Sequence, residues 1–156
     1  MNITIPGRDE LIIENILLDY NGTIAVDGKI IKSIEKRIDK LDKMGLNIFV
    51  LTADTHGTVR KECGHLPLEV IVFDNNEARI SKKEIVEKLG SDRCIAIGNG
   101  YNDGLMLLKS KLGIAVMGEE GMSFKAIENA DVVCRNIEDA LDLIIKEKRL
   151  IATLRG

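Results

Sequence analysis

The sequence predicts an α/β protein with a mostly parallel central sheet and helices on both of its faces. Short apolar runs rich in β-branched residues recur along the chain, as expected for strands buried on both faces. Segments in which apolar residues follow a helical spacing separate these runs. Repeated strand–helix units of this kind form parallel sheets through right-handed crossovers.

The elements follow in order. The apolar runs that predict core strands are residues 16–18, 48–51, 70–73, 95–97, 114–117 and 132–134. Between them, helices are predicted around residues 34–41, 81–89, 105–108, 124–127 and 140–145. Gly45 and Gly90 suit the positions that follow a helix, and Ser81 is predicted to cap the helix before Gly90. Residues 1–14 read as an added N-terminal β-hairpin that turns at Pro6-Gly7.

Composition narrows the functional classes. A chain of 156 residues is long enough for one domain with a real core, and we expect a single domain over residues 1–156. A net charge of −3, with 3% aromatic residues and no Trp, argues against nucleic acid as a partner. No apolar run is long enough for a membrane span, so no membrane contact is expected. Cys63, Cys94 and Cys134 match no disulfide or metal spacing, which favours a reducing cytoplasm.

The residues that carry chemistry stand at the ends of predicted strands. Asp19 ends the first core strand, where ligands bind in open α/β sheets, and its carboxylate is a candidate nucleophile towards phosphorus. Thr52 ends the next strand, and its hydroxyl could hold a phosphoryl oxygen. Lys82, placed at a helix start, could neutralise charge. Asn99 and Asp103 follow a later strand and could complete a Mg²⁺ site with Asp19, because Mg²⁺ favours one or two carboxylates with phosphate and water.

This ordered set resembles the haloacid dehalogenase (HAD) superfamily. The matching segments are DYNGT at 19–23, Thr52, Lys82 within the spacing K-x3-V-x2-L, and GNGYND at 98–103. Within the superfamily, LTAD, GNGYND and GIAVMG resemble the phosphorylation domain of P-type ATPases, and the whole chain looks like the soluble P-type ATPase-like HAD group. The resemblance implies a Rossmann-like HAD fold, a Mg²⁺ cofactor and phosphate-ester hydrolysis through an aspartyl phosphate.

The resemblance also implies roles for individual residues. The catalytic set is Asp19, Asn21, Thr52 and Lys82. The phosphate-binding set is Gly22, Thr23, Thr52, Ala53, Lys82 and Asn102. The metal set is Asp19, the Asn21 carbonyl, Asn99 and Asp103.

Two of these residues depart from the family pattern. HAD phosphatases usually carry an Asp where this chain has Asn21, and that Asp protonates the leaving group and then activates water. An amide can do neither, and general acid–base catalysis is worth about 10²–10⁴-fold. Asn99 stands where an Asp is usual, so weaker metal affinity is expected. Hydrolysis should therefore be slow, or limited to substrates with good leaving groups.

The spacing of the motifs leaves no room for a cap domain. Residues 24–47 and 53–81 are the only insertions between the first three motifs, and residues 25–29, centred on Asp27-Gly28, read as a small hairpin flap. An open site of this kind suits large substrates or a neighbouring subunit that acts as a lid, so a homo-oligomer is plausible.

The sequence is consistent with three hypotheses about function. The first is a Mg²⁺-dependent phosphatase of slow or narrow activity on a small phosphorylated metabolite or a phosphoprotein. The second is a catalytically weakened phosphate- or nucleotide-binding regulatory protein, which Asn21 and Asn99 favour. The third is a sugar-acid phosphate phosphatase, since residues 26–30 resemble the flap of those capless tetrameric enzymes. Singly, each residue also fits a structural role; Asn21-Gly22, for example, is a strong turn signal.

Overall fold

The computed structural model describes residues 1–54, 56–73 and 77–156. In chain order its strands are β1 (Asn2–Ile3), β2 (Leu11–Ile12), β3 (Asn15–Asp19), β4 (Ala25–Val26), β5 (Lys29–Ile30), β6 (Asn47–Thr52), β7 (Glu69–Val72), β8 (Cys94–Gly98), β9 (Leu112–Val116) and β10 (Val132–Cys134). Its α-helices are α1 (Glu35–Lys43), α2 (Thr58–Cys63), α3 (Ala78–Leu89), α4 (Gly104–Lys109), α5 (Phe124–Glu128), α6 (Ile137–Ile145) and α7 (Glu147–Leu154). Short 3-10 turns lie at Lys32–Ile34, Ser91–Arg93 and Tyr101–Asp103.

The central sheet has six parallel strands in the order β10-β9-β8-β3-β6-β7. From β3 the chain builds outward on one side through β6 and β7, and then on the other side through β8, β9 and β10. The order therefore reverses between β3 and β8, which is the place where open α/β sheets bind ligands. The predicted mostly parallel sheet is confirmed, and each predicted core strand falls within two residues of an observed one.

Helices cover both faces of the sheet, as predicted. On one face α1, α6 and α7 pack against one another or against the strands, over a core that includes Ile16, Leu18 and Ile48. On the other face α3, α4 and α5 enclose a smaller core around Leu17 and Leu51. Neighbouring residues of β3 thus serve opposite faces, which explains why all five are buried.

The C-terminal helix packs on the chain's own core. Leu150 of α7 is fully buried and Leu154 is almost so, and both belong to the larger apolar cluster.

Two small hairpins lie outside the central sheet. β1 pairs antiparallel with β2, which gives the predicted N-terminal hairpin. β4 pairs antiparallel with β5 around Asp27 and Gly28, both of which have positive φ, and this is the predicted flap. Two expectations about α3 are wrong: the helix begins at Ala78, so Ser81 lies inside it and caps nothing, and Lys82 lies in its second turn. Among the described residues, no helix combines the length and apolar character that a membrane crossing requires.

Candidate active site

The predicted chemical residues meet at the switch point of the sheet. Asp19 ends β3 and Thr52 ends the adjacent β6, while Asn99 directly follows β8 on the other side of β3. Asp103 lies in the 3-10 turn that leads into α4, and Lys82 reaches in from α3. Parallel strands bring their carboxyl ends to one edge, so residues far apart in sequence share one site.

A buried charge cluster forms the floor of this site. The Lys82 ammonium donates to Asp19 Oδ1 at 2.5 Å and to Asp103 Oδ1 at 2.6 Å. All three side chains are buried, with Lys82 and Asp103 at 1% and 0% exposure. The second Asp103 oxygen accepts from the Gly100 N–H at 2.8 Å, which fixes the loop after β8. An ammonium has three N–H donors, so Lys82 keeps one for a further acceptor.

Two carboxylates against one ammonium leave an excess of negative charge. Burial and the neighbouring Asp103 carboxylate raise the pKa of Asp19 to about 7, although Lys82 and Thr23 act in the opposite direction. Burial by itself would lower the pKa of Lys82, but Asp19 and Asp103 outweigh it and raise that pKa. Lys82 is therefore charged, and the site would bind an added cation favourably.

Asn99 links the nucleophile candidate to a distant loop. The Thr23 hydroxyl lies 3.1 Å from Asp19 Oδ2 and 3.1 Å from Asn99 Oδ1. The Asn99 amide nitrogen donates to the Gly121 carbonyl at 2.9 Å. A Cβ atom on Gly22, which has φ +76°, would collide with the Asn99 carboxamide. Both ends of the Asn99 side chain are thus engaged within the protein, which the expected metal role did not anticipate.

Thr52 lines the cleft at the end of β6. Its Oγ1 accepts from the Asp54 N–H at 3.1 Å, so its own hydrogen can point to another acceptor. The Asp54 carboxylate in turn accepts from the backbone N–H groups of Val59 and His56, and these bonds lower its pKa. Asp54 therefore ties the end of β6 to the backbone of His56 and to the first turn of α2.

The turn after Asp19 differs in part from the expectation. The Gly22 N–H donates to the Ala25 carbonyl, and the Thr23 N–H donates to the Tyr20 carbonyl. These backbone donors are used by the turn itself, and the Thr23 hydroxyl faces Asp19 and Asn99. Gly22 and Thr23 therefore hold the turn beneath Asp19 and Asn99, and their contact with a phosphate stays a prediction. Asn21 is exposed at the edge of the cleft.

The cleft above this floor has a volume of about 430 Å³. Of the predicted residues, Asp19, Asn21, Thr52, Ala53, Lys82, Asn99 and Asn102 line it. Four lining residues were missed, namely Tyr20, Asp54, Phe73 and Gly100. Asp54 had a readable signal, because an Asp shortly before a helix commonly binds the first free N–H groups. Phe73, whose ring centre is 6.0 Å from Lys82 Nζ, had none beyond its place at a strand end.

The oxygen donors suit Mg²⁺. The described residues hold no group of three or more His, Cys, Asp or Glu arranged for a metal. A metal here would depend on the Asp19 and Asp103 carboxylates, amide or backbone oxygens, a phosphate and water, which is how Mg²⁺ is commonly bound. Softer transition metals would prefer imidazole or thiolate ligands. The excess negative charge beside Asp19 fits a divalent cation as well.

The fold and the site together define a Rossmann-like α/β protein with its site at the switch point of a parallel sheet. No family model matches the chain. An uncharacterised protein of Methanocaldococcus jannaschii is 47% identical over 81 residues, which are 49% of this chain and 87% of that protein. A soluble P-type ATPase-like phosphatase of the same organism is 23% identical over 87% of this chain, which spans 50% of the phosphatase. A probable copper-exporting P-type ATPase of Archaeoglobus fulgidus is 28% identical over 72% of the chain, which spans 13% of the pump.

Solved structures share the fold. The 3-deoxy-D-manno-octulosonate 8-phosphate phosphatase of Moraxella catarrhalis, solved with magnesium, phosphate and its sugar, has a TM-score of 0.71 at 15% identity. That match covers 92% of this chain and 94% of the phosphatase. The cobalt-bound deoxy-D-mannose-octulosonate 8-phosphate phosphatase of Haemophilus influenzae has a TM-score of 0.70 at 13% identity, over 88% and 91% of the two chains. The chain thus shares the fold of these phosphatases, and also that of a putative HAD superfamily hydrolase of Legionella pneumophila, which has a TM-score of 0.71 at 16% identity over 90% and 87% of the two chains.

Proposed function

We propose that this protein is a Mg²⁺-dependent phosphohydrolase that forms an aspartyl phosphate on Asp19. The observation that carries the proposal is the Lys82 ammonium held between Asp19 and Asp103 at the base of an open cleft. Asp19 attacks phosphorus, while Lys82 and the Thr52 hydroxyl hold phosphoryl oxygens. In such a site the rate comes mainly from positioning and charge neutralisation.

Mg²⁺ would be held by Asp19, Asp103 and the Asn21 carbonyl. Asn99 could join this set through the second lone pair of its Oδ1 atom, which already accepts from the Thr23 hydroxyl. When bound, the ion supplies the positive charge that the two carboxylates and the phosphate require. The neighbour structures that contain Mg²⁺ or Co²⁺ support a divalent metal in this fold.

Turnover is proposed to be slow or narrow because Asn21 cannot exchange protons. Without an acid, the leaving group must depart as a stable anion, so acyl phosphates and aryl esters are favoured substrates. The proposed natural partner is a small phosphorylated metabolite or a phosphoprotein that reaches the open cleft. A cytoplasmic setting and a homo-oligomer that covers the cleft remain part of this proposal.

A steady-state assay with acetyl phosphate and p-nitrophenyl phosphate tests the function. Wild type with Mg²⁺ should turn over both compounds, and Asp19→Asn should abolish turnover. Asn21→Asp should raise kcat by about 10²-fold or more on p-nitrophenyl phosphate, because it restores an acid and base. It should help acetyl phosphate less, since that leaving group needs little protonation. Asn21→Ala is the matched control, because it removes the amide and adds no acid.

A weakened phosphate-binding regulator is the second candidate, and the amide of Asn21 at the edge of the cleft favours it. In that case neither wild type nor Asn21→Asp would turn over any compound, while inorganic phosphate would still bind in a manner that Asp19→Ala or Lys82→Ala alters. A sugar-acid phosphate phosphatase is the third candidate, supported by the shared fold and by the flap at β4 and β5. Higher kcat/KM on 3-deoxy-D-manno-octulosonate 8-phosphate than on p-nitrophenyl phosphate would favour it.

A further inference from the structure

A second basic feature adjoins the cleft. Arg79 lies one helical turn before Lys82 on α3, and residues three apart share a helix face. Its guanidinium stacks over the Tyr101 ring, with 5.2 Å between the guanidinium carbon and the ring centre. Its Nη1 donates to the Tyr101 hydroxyl at 3.3 Å. Tyr101 stands between Gly100 and Asn102, which both line the cleft. Arg79 is therefore held in place beside the opening.

The charge of Arg79 is not balanced by the described residues. Among residues 1–54, 56–73 and 77–156, Arg37, Arg93 and Arg135 each pair with a carboxylate, whereas Arg79 does not, and neither do Arg8, Arg60, Arg149 and Arg155. The Arg79 Nε atom is buried without a hydrogen-bond partner, which is costly unless a ligand or water supplies one. Packing on Tyr101 thus holds an oriented planar donor group that no carboxylate in the described part of the chain neutralises.

A second cation is carried by α5, which packs on the 3-10 turn that contains Tyr101. Lys125, at the start of α5, pairs with Glu128 at 2.6 Å. The hydrogen bond and charge of Glu128 raise the pKa of Lys125, and the charge of Arg79 opposes the rise.

We propose that Arg79, Tyr101 and Lys125 form a second anion site, which binds a carboxylate or a second phosphate on the same phosphorylated substrate. The reacting phosphoryl group would lie between Asp19, Thr52 and Lys82, and the remote anion would pair with the Arg79 guanidinium. A planar guanidinium suits this task because it binds carboxylate and phosphate oxygens in pairs. This inference rests on the proposed phosphohydrolase function and narrows its substrates to compounds with two anionic groups.

Calorimetry with phosphonates tests the site without turnover. In the presence of Mg²⁺, the matched pairs are 3-phosphonopropionate with propylphosphonate and 5-phosphonopentanoate with pentylphosphonate, which differ by a carboxylate in place of a methyl group. Wild type should bind at least one carboxylated member about tenfold more tightly than its alkyl partner. Arg79→Gln should remove that preference, Arg79→Lys should keep part of it, and Lys125→Gln should reduce it slightly.

The control is Arg93→Gln. Arg93 precedes β8, at the amino ends of the strands and away from the cleft, so its replacement should leave the preference for the carboxylated compound unchanged. The proposal is overturned if wild type shows no preference at either length, or if Arg79→Gln retains it. Thermal melting of each variant separates lost binding from lost folding, and Arg79→Lys preserves the stacked cation if Arg79→Gln unfolds. Turnover of acetyl phosphate is measured in parallel. If there is no turnover, the phosphohydrolase proposal is refuted while the anion site is still tested by binding. If acetyl phosphate is turned over but the carboxylated phosphonates are not preferred, only the second anion site is refuted.

Discussion

Replacing Asn99 with Asp separates a structural role for this residue from a metal-binding one. The HAD pattern that the sequence resembles has a carboxylate here, so a simple expectation is that Asn99→Asp increases the stability of the protein. The structure argues otherwise in the absence of metal. The Asn99 amide nitrogen donates to the Gly121 carbonyl at 2.9 Å, and an Asp oxygen at that point would face another acceptor.

The size of the effect follows from this contact. Asn99 is 9% exposed and its hydrogen bond to Gly121 is partly buried, so the substitution loses this bond and adds a third carboxylate near Asp19 and Asp103. An unsatisfied buried polar group costs about 1–3 kcal/mol. For a chain of this size each kcal/mol lowers Tm by about 2–4 °C, so a cost of about 2 kcal/mol, the middle of that range, predicts that Asn99→Asp melts roughly 4–8 °C below wild type in EDTA.

The assay is thermal melting at pH 8 in EDTA and across a Mg²⁺ titration. A carboxylate binds Mg²⁺ more strongly than an amide, so Mg²⁺ should recover more stability in Asn99→Asp than in wild type. Asn99→Ala is the control, because it also loses the contact to Gly121 but gains no metal ligand. The reasoning fails if Asn99→Asp melts at or above wild type in EDTA.

Three further predictions concern the charged groups. Lys82→Met should lower the free energy of unfolding by about 3–5 kcal/mol in urea, because it leaves Asp19 and Asp103 buried without a cation; a change below about 1 kcal/mol would contradict this. The pKa of Asp19 is raised from 3.8 to about 7, so between these pH values the folded state holds a proton that the unfolded state has released. In EDTA, Tm should therefore decrease as the pH rises from about 4 to about 7. Asp19→Asn should flatten that decline, and a parallel decline in both proteins would count against the assignment. Lys146 and Arg37 lower the pKa of Asp142, while burial opposes them. Asp142→Asn should therefore lower the free energy of unfolding in urea by about 0.5–1 kcal/mol at neutral pH. This difference from wild type should vanish as acid protonates Asp142, and a difference that stays constant with pH would refute the link.

The strands were predictable because their signal is local. A strand buried on both faces must be apolar throughout, so β3 and β8 stand out as short β-branched runs between polar segments. Once the strands are placed, the residues that follow them must meet at one edge of a parallel sheet. This is why Asp19, Thr52 and Asp103 could be grouped before any coordinates were known.

The start of α3 was not predictable from its capping signal. Ser81 is a good N-cap residue, yet the helix begins one turn earlier, at Ala78. Tertiary contact decides this, because the extra turn carries Arg79 onto Tyr101. A cap contributes about 1 kcal/mol, and packing of a full helical turn can outweigh it.

The partner of Asn99 was hidden for a different reason. Gly121 contributes only its backbone carbonyl, and a carbonyl leaves no trace in side-chain patterns. The same applies to the turn in which Gly22 bonds Ala25. Backbone acceptors that lie 22 residues away become visible only when the loops are placed in space.

The two amides that depart from the family pattern therefore call for different explanations. The Asn99 oxygen accepts from the Thr23 hydroxyl and its nitrogen donates to the Gly121 carbonyl. An ionised Asp has no donor for Gly121, so the amide at this position has a structural explanation. Asn21 is exposed at the cleft edge, and its side chain makes no hydrogen bond to another of the described residues. If Asn21 is simply a missing acid and base, Asn21→Asp should raise kcat in the wild-type and in the Asn99→Asp background by the same factor. A strong dependence on the background would mean that both amides serve one shared function, since independent sites contribute additively.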